Sequence, residues 1–331
     1  MCFLFLSCII AAGLIYYYFN QWYRRDFIED FHEKRVFITG TDSGFGRKLA
    51  IDLDRRGVIV YAGCYTENGA KELAKTTSKR LKLVRIDVTD VTSVTQAKKF
   101  IEEDIPANEG LWGLVNNAGI FQGLCFDFCT MEDYEKSMEA NFFGPVRVTE
   151  VFLPLVKKAR GRIVTVISGV GRGNVLPITP YSCSKFALQP YCDALRRSMK
   201  TFGVHAAILE PGFFPGTGLT TPEGLVAQRD KAWANLSEAS KREYGMKFKE
   251  NAFHRFMYVL RHWPFAGQNG ANLNFVTDAM QHALGAKHPK DRYVCGKDAR
   301  IFVFLANVVP DWLLDFVARI IASYKDVVTK I

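Results

Sequence analysis

Residues 39–46 read TGTDSGFG, and this stretch decides the fold. It closes an apolar run, RVFITG (35–40), and is followed by a segment of helical character, so it lies where a strand turns into a helix. Glycines stand at 40, 44 and 46. The first permits a tight turn, and a later one lets the backbone approach a pyrophosphate at the helix N-terminus, the arrangement of dinucleotide-binding folds. A glycine-rich turn alone is weak evidence; one placed between strand and helix is stronger.

Working outward, five more strand-like runs follow: VIVYAGC (58–64), LKLVRIDV (81–88), LWGLVNNAG (111–119), GRIVTVIS (161–168) and HAAILEPG (205–212). Segments of helical character such as SVTQAKKFIEEDI (93–105) lie between them. This alternation predicts an α/β fold, a Rossmann-type doubly wound parallel sheet with helices on both faces. Ligands then bind at the carboxyl ends of the strands. Gly40, Asp87, Asn116, Ser168 and Pro211 all fall there, more than packing alone would collect at one edge.

The 331 residues are 48% hydrophobic and 23% charged, enough for a large core. The net charge of +9 is scattered, without basic blocks or interleaved aromatics, which argues against nucleic acid and for weak attraction to anionic lipid. The eight cysteines show neither zinc-ligand pairing nor C-x-x-C, so they read as free thiols and no metal is expected. Residues 3–19 hold 17 positions without a charge, followed by Trp22, Tyr23, Arg24 and Arg25. No cation precedes the run, and bulky residues stand where a cleavable signal needs small ones, so 1–23 reads as an uncleaved membrane anchor. Its length suits the thin endoplasmic reticulum bilayer, and the following cations are expected to keep the domain after it in the cytosol.

YSCSK (181–185) places Tyr181 and Lys185 one helical turn apart on one face. Taken alone, that pair is either an aromatic resting on an alkyl stem or a phenol made more acidic by an ammonium. The joint pattern of TGTDSGFG, DVT (87–89), NNAG (116–119), Asn141 in MEANFFGP, Ser168, YSCSK and EPGFF (210–214) resembles the short-chain dehydrogenase/reductase superfamily over roughly residues 33–300. TDSGFG, CYTENGAKEL, GLWGLVNNAGI and EYGMKF narrow the likeness to the branch of retinol, 17β-hydroxysteroid and 3-hydroxybutyrate dehydrogenases.

The resemblance implies hydride transfer between NAD(H) and an alcohol or carbonyl, with Tyr181 as general acid/base. A free phenol, with a pKa near 10, is a poor base at neutral pH, so Lys185 is expected to favour the phenolate and also to hold the nicotinamide ribose. Ser168 is expected to hydrogen-bond the substrate oxygen, and Asn141 to keep a relay water beside the lysine. Gly40, Gly44, Gly46, Asn117, Ala118 and Gly119 would line the cofactor, and Asn116 tie neighbouring strands. Asp87 and Val88 would meet the adenine, while Pro211, Gly212 and Thr217 would lie near the nicotinamide. Cys64 occupies the place where an acid often binds the ribose diol. Ser43 and Tyr65 stand where NADP users carry cations, and Asp42 would repel a phosphate, so NAD is expected over NADP.

The segment 213–265 reads as a substrate lid, with Trp233, Tyr244, Phe248, Phe253, Phe256, Met257 and Tyr258 either facing a lipophilic alcohol or packing on the core. Residues 301–331 read as an amphipathic segment with Trp312, Leu313, Phe316, Val317, Ile320 and Ile321 on one face, lying in the membrane plane or docked on the core. The expected partners are a small lipophilic alcohol, ketone or aldehyde and membrane lipid, with a homodimer as the candidate assembly. A 3-hydroxybutyrate-type activity and a catalytically idle lipid-binding relative are the alternative readings.

Overall fold

The computed structural model describes residues 2–123, 128–173, 178–215, 217, 219, 221–245 and 272–322. The strands are β1 (Arg35–Thr39), β2 (Ile59–Cys64), β3 (Lys82–Arg85), β4 (Gly113–Asn116), β5 (Arg162–Val166), β6 (His205–Pro211) and β7 (Arg292–Cys295). All pair in parallel, in the order β3-β2-β1-β4-β5-β6-β7. The first six fall inside the six apolar runs. The seventh, RYVC, was not foreseen: four residues flanked by charges carry too little pattern to read.

Helices α1 (Cys2–Tyr23), α2 (Gly44–Arg55), α3 (Glu67–Ala74), α4 (Val91–Asp104), α5 (Met131–Met138), α6 (Gly144–Ala159) and α7 (Thr179–Met199) come before β6. After it lie α8 (Pro222–Ala234), α9 (Glu238–Tyr244), α10 (Asn274–Gly285), α11 (Lys297–Val308) and α12 (Asp311–Ala322). Strand alternation sends Val36 and Ile38 of β1 to one face of the sheet and Phe37 to the other. On the first face they join Leu49 and Leu53 of α2 and Met280 and Leu284 of α10. On the second, Phe37 joins Ile101 of α4 and Phe152 of α6. Both faces are therefore covered, as a parallel sheet requires.

The chain leaves β1 for β2 and β3 on one side and returns to β4 on the other, opening a crevice between the ends of β1 and β4. Gly40 (φ +72°) follows β1 there, and a Cβ on it would meet Ala118 Cα at 2.7 Å, so the two loops touch at the switch point.

The structure does not show the membrane anchor expected at 1–23. Residues 2–23 form α1, about 33 Å long at 1.5 Å per residue, with Phe5, Ile15, Tyr16 and Trp22 exposed. Yet among the described residues no helix is long and apolar enough to cross a membrane. The segment after α1 is tied to the domain. Ile28 N–H donates to Gly285 O at 2.8 Å, Lys287 N–H to Asp26 O at 2.8 Å, and Phe27 packs near Phe31 and His282. At the other end of the chain, Trp312 and Phe316 of α12 are 70% and 56% exposed, so these two are not docked on the core.

Candidate active site

Tyr181, Ser182 and Lys185 lie in the first two turns of α7, with Pro180 among its opening residues, where the missing N–H costs nothing. Lys185 is 4% exposed; its Nζ donates to Val166 O at the end of β5 at 3.1 Å and lies 5.8 Å from the Tyr181 ring centre. Burial pulls the Lys185 ammonium down to about 8, opposed by the nearby Cys192. Burial likewise pushes the Tyr181 phenol up to about 12, while a hydrogen bond with Ser168 pulls it down. Ser168 sits just past β5, caps a short 3₁₀ turn (Gly169–Gly171) and reaches Pro211 O at 3.5 Å. The lysine and tyrosine thus share a face as expected, but it is Ser168 that acts on the phenol directly.

Asn141 reaches the site by a local irregularity. Residues 139–143 form a π-turn between α5 and α6, a device that rotates side chains out of helical register and recurs at functional sites. The side chain is fully buried: Oδ1 accepts from Ile120 N–H at 2.8 Å, and Nδ2 donates to Ile120 O at 2.9 Å and Ser184 Oγ at 3.0 Å. Ser184 in turn donates to Tyr181 O at 2.7 Å. Both amide hydrogens are therefore used within the protein, leaving only the second lone pair of Oδ1 for a relay water. A Cβ on Gly119 would meet Asn141 Oδ1 at 2.9 Å and Lys185 Nζ at 3.7 Å, so the three converge.

At the switch point the glycines allow close backbone approaches. Gly44 has φ +57°, and a Cβ on Gly46 would strike Gly40 O and Asn117 Nδ2. Ser43 does not cap α2 with its side chain; its hydroxyl donates instead to Thr217 O at 3.3 Å, leaving the first-turn N–H groups of α2 without that partner. Asn117 Nδ2 donates to Thr39 O and Gly40 O, both at 3.0 Å, and Asn117 and Ala118 N–H both reach Thr39 Oγ1 at 3.1 Å. Asn117, rather than Asn116, thus joins β4 to β1. Asn116 Nδ2 donates to Thr149 Oγ1 of α6 at 2.8 Å.

Asp42 accepts from Tyr65 N–H at 2.8 Å and from Thr66 N–H and Oγ1 at 2.7 Å, fixing its charge at the exit of β2. Cys64, raised by burial, lies 3.0 Å from Thr41 Oγ1. No cation was expected here, but Arg85 stacks over the Tyr65 ring at 5.5 Å, and with Arg47 it acts on the Cys64 thiol. Asp87 is tied into its own turn by Thr89, and Val88 packs near Gly144. Pro211 ends β6; Gly212 N–H reaches Cys295 O at 2.8 Å, and Asp298 accepts from Phe213 N–H at 2.7 Å. Thr217 lies over the glycine turn through its carbonyl.

Two features escaped the sequence reading. Beside Tyr181 stands an apolar wall of Phe121, Val170, Ile178, Phe213 and Leu225, with the Phe121 ring 5.3 Å from that of Tyr181. Of the aromatics named for the expected lid, Trp233 and Tyr244 pack edge-on against Phe128, while Phe248, Phe253, Phe256, Met257 and Tyr258 lie outside the described residues. The second feature is Glu210, fully buried, whose Oε1 accepts from Gln189 Nε2 at 2.6 Å and from Arg172 Nε and Arg292 Nη1, both at 2.8 Å. An acid inside a strand as apolar as HAAILEPG must be paired, and that was the available signal.

A protein-family model described as short chain dehydrogenase matches residues 34–225. Rattus norvegicus 17-beta-hydroxysteroid dehydrogenase type 6 is 42% identical over 309 residues, covering 93% of this chain and 94% of its own. Mus musculus retinol dehydrogenase 7 is 38% identical over 312 residues, covering 94% and 95%. Among solved structures, a Burkholderia phymatum short chain dehydrogenase/reductase in complex with NAD superposes with a TM-score of 0.65 at 20% identity, over 85% of this chain and 94% of that one.

Proposed function

The chain belongs to the short-chain dehydrogenase family, and from that premise we propose that it is an NAD-dependent oxidoreductase of lipophilic alcohols, of the retinol or hydroxysteroid kind. The observation that carries this is the meeting of Ser168, Tyr181, Lys185 and Asn141 beside an apolar wall. Bound NAD would supply the hydride acceptor. Gly40, Gly44 and Gly46, with the α2 N-terminus that Ser43 leaves uncapped, fit a pyrophosphate. Asp42 holds a negative charge at the β2 exit, which favours a ribose diol over its phosphate and outweighs Arg85, already stacked on Tyr65.

In this reading Ser168 hydrogen-bonds the substrate hydroxyl and Tyr181 removes its proton. A phenol near 12 needs help at neutral pH, and Lys185, still largely protonated there with a pKa near 8, supplies a positive charge close to the ring. Asn141 fixes Ile120 and Ser184 around them and offers Oδ1 toward Lys185. The apolar wall takes the body of the alcohol, which favours a lipophilic substrate over 3-hydroxybutyrate. The names of the relatives support the same substrate classes. We place the enzyme at the endoplasmic reticulum membrane, held through the exposed apolar side chains of α1 and α12, with the domain in the cytosol.

Purified protein is assayed by NADH or NADPH absorbance with retinol, a hydroxysteroid and 3-hydroxybutyrate. The expected result is a higher kcat/KM with NAD and with the two lipophilic alcohols. A preference for NADP, or for the small acid, would overturn the corresponding part of the proposal.

A further inference from the structure

The amino-terminal edge of the sheet, opposite the catalytic residues, carries cations that no acid balances. Arg162 opens β5 and His205 opens β6, and the two are direct register partners. Both point to the face that α10 covers, because Val164 and Ala207, two residues further on, join the core there. The Arg162 guanidinium lies over the Trp112 ring at 5.2 Å, and that ring is fixed by a bond from its Nε1 to Leu284 O of α10 at 2.9 Å. His205 Nε2 donates to Lys290 O at 3.2 Å and Lys290 N–H to the Tyr293 hydroxyl at 2.8 Å, which draws Lys290 to the same edge. Among the described residues neither the Arg162 nor the Lys290 side chain makes a hydrogen bond or an ion pair. Arg162 Nε is enclosed, while its two Nη groups and Lys290 Nζ are not. Burial lowers the pKa of both groups, and Arg24 and Arg300 lower that of Lys290 further. Asp291, 3.8 Å from His205, is already engaged by Arg196 at 3.3 Å. A partly buried guanidinium without a counter-charge is disfavoured, and a bound anion relieves that.

The position of the pair points to the source of the anion. Arg24, the first residue after α1, donates to His288 O and Pro289 O, the two residues before Lys290, and Tyr23 stacks on His288. Arg162 and Lys290 therefore stand where α1, with its exposed Phe19 and Trp22, meets the body of the protein. We propose that they form a phosphate site that takes the headgroup of an anionic phospholipid, the guanidinium binding two oxygens through its Nη groups and the ammonium adding a point charge. The lipid source rests on the membrane association proposed above; the phosphate chemistry does not. Arg24 adds charge to the site, its Nη1 being spent on the two carbonyls and its Nε on Asn20 Oδ1 at 3.1 Å.

The test sediments the full-length protein with vesicles of phosphatidylcholine alone and of phosphatidylcholine mixed with phosphatidic acid, at about 0.15 M salt, where diffuse attraction reaches only about 8 Å. The ratio of the two affinities cancels the apolar insertion of α1. It should fall by at least about tenfold in Arg162→Gln, which loses a charge-assisted pair of hydrogen bonds. Lys99→Gln, the same change of charge on the exposed face of α4, should stay within about twofold of wild type. Arg162→Lys keeps the charge and the stem but loses the fork, so its ratio should still fall by about fivefold, and it carries the test if the Gln variant does not fold. Calorimetry with inorganic phosphate, in neutral detergent micelles, separates the two sources. Arg162-dependent binding of inorganic phosphate without a preference for the anionic vesicles would keep the site and overturn its lipid source. Equal losses in Arg162→Gln and Lys99→Gln, or neither an anionic preference nor phosphate binding, would overturn the site. Failure to bind either kind of vesicle would overturn the membrane reading, and the phosphate titration then decides the site by itself.

Discussion

Tyr181 is asked to act as a base from a pocket that disfavours its charged form. Burial sets the phenol near 12, and the one direct group pulling it down is Ser168. Alcohol oxidation consumes the phenolate, so its rate rises with pH toward the phenol's pKa; carbonyl reduction consumes the phenol and falls through the same range. Removing the Ser168 hydroxyl takes away a lowering influence, so the pKa moves up and both limbs move to higher pH. We therefore expect Ser168→Ala to lower kcat/KM for oxidation by about a hundredfold, as for loss of one donor to a reacting oxygen. Its rising limb should also lie at higher pH than in the wild type. A pH–rate profile of both enzymes checks this, and coincident limbs would separate Ser168 from the phenol.

Between elements, Glu210 is the node. Through Arg172 it holds the loop that carries Ser168, through Gln189 the helix that carries Tyr181 and Lys185, and through Arg292 the last strand, where Asp193 also pairs with that arginine at 2.6 Å. Glu210→Ala leaves both arginines facing a gap that held a fully buried carboxylate. A loss of about 3 kcal/mol is expected from urea unfolding, with a fall in kcat as the Ser168 loop loosens. A change within about 0.5 kcal/mol would show the cluster to be incidental. The node also marks how far the sequence could be read. Strands β1 to β6 were legible because strands buried on both faces leave unbroken apolar runs. The glycine turn was legible because its φ and its contacts admit little else. The site residues were legible by type and order, but not by partner. Asn141 arrives on a π-turn that has no periodic signature, and the joining of β4 to β1 fell to Asn117 because the neighbouring Asn116 turns to Thr149 instead. The apolar wall draws on four separate loops and helices, and no local pattern encodes such a meeting.

For the whole molecule, the N-terminal helix is coupled firmly to the catalytic body. Arg24 donates to His288 O at 3.1 Å and Pro289 O at 2.7 Å, Tyr23 stacks on His288 at 4.0 Å, and Arg24 O lies 2.7 Å from His282 Nε2. A membrane holding α1 would thus hold the domain at a set attitude. Deleting residues 1–23 leaves Phe27, Ile28 and Phe31 in their contacts, so the truncated enzyme should fold and move from the membrane pellet to the supernatant. Its staying in the pellet would shift the anchoring elsewhere. The proposed cytosolic orientation has its own reporter, since Asn235 and Ser237 of an N-L-S sequon are exposed between α8 and α9. An endoglycosidase-sensitive shift lost in Asn235→Gln would place the domain in the lumen instead. The most direct test of the enzyme as a whole pairs turnover with cofactor binding in the full-length Tyr181→Phe protein. NADH formation from a lipophilic alcohol should fall by at least about a hundredfold, while NAD affinity measured by calorimetry stays within about twofold of wild type, because only the acid/base hydroxyl is lost. Retention of substantial turnover by Tyr181→Phe would contradict the assignment of proton transfer to this residue.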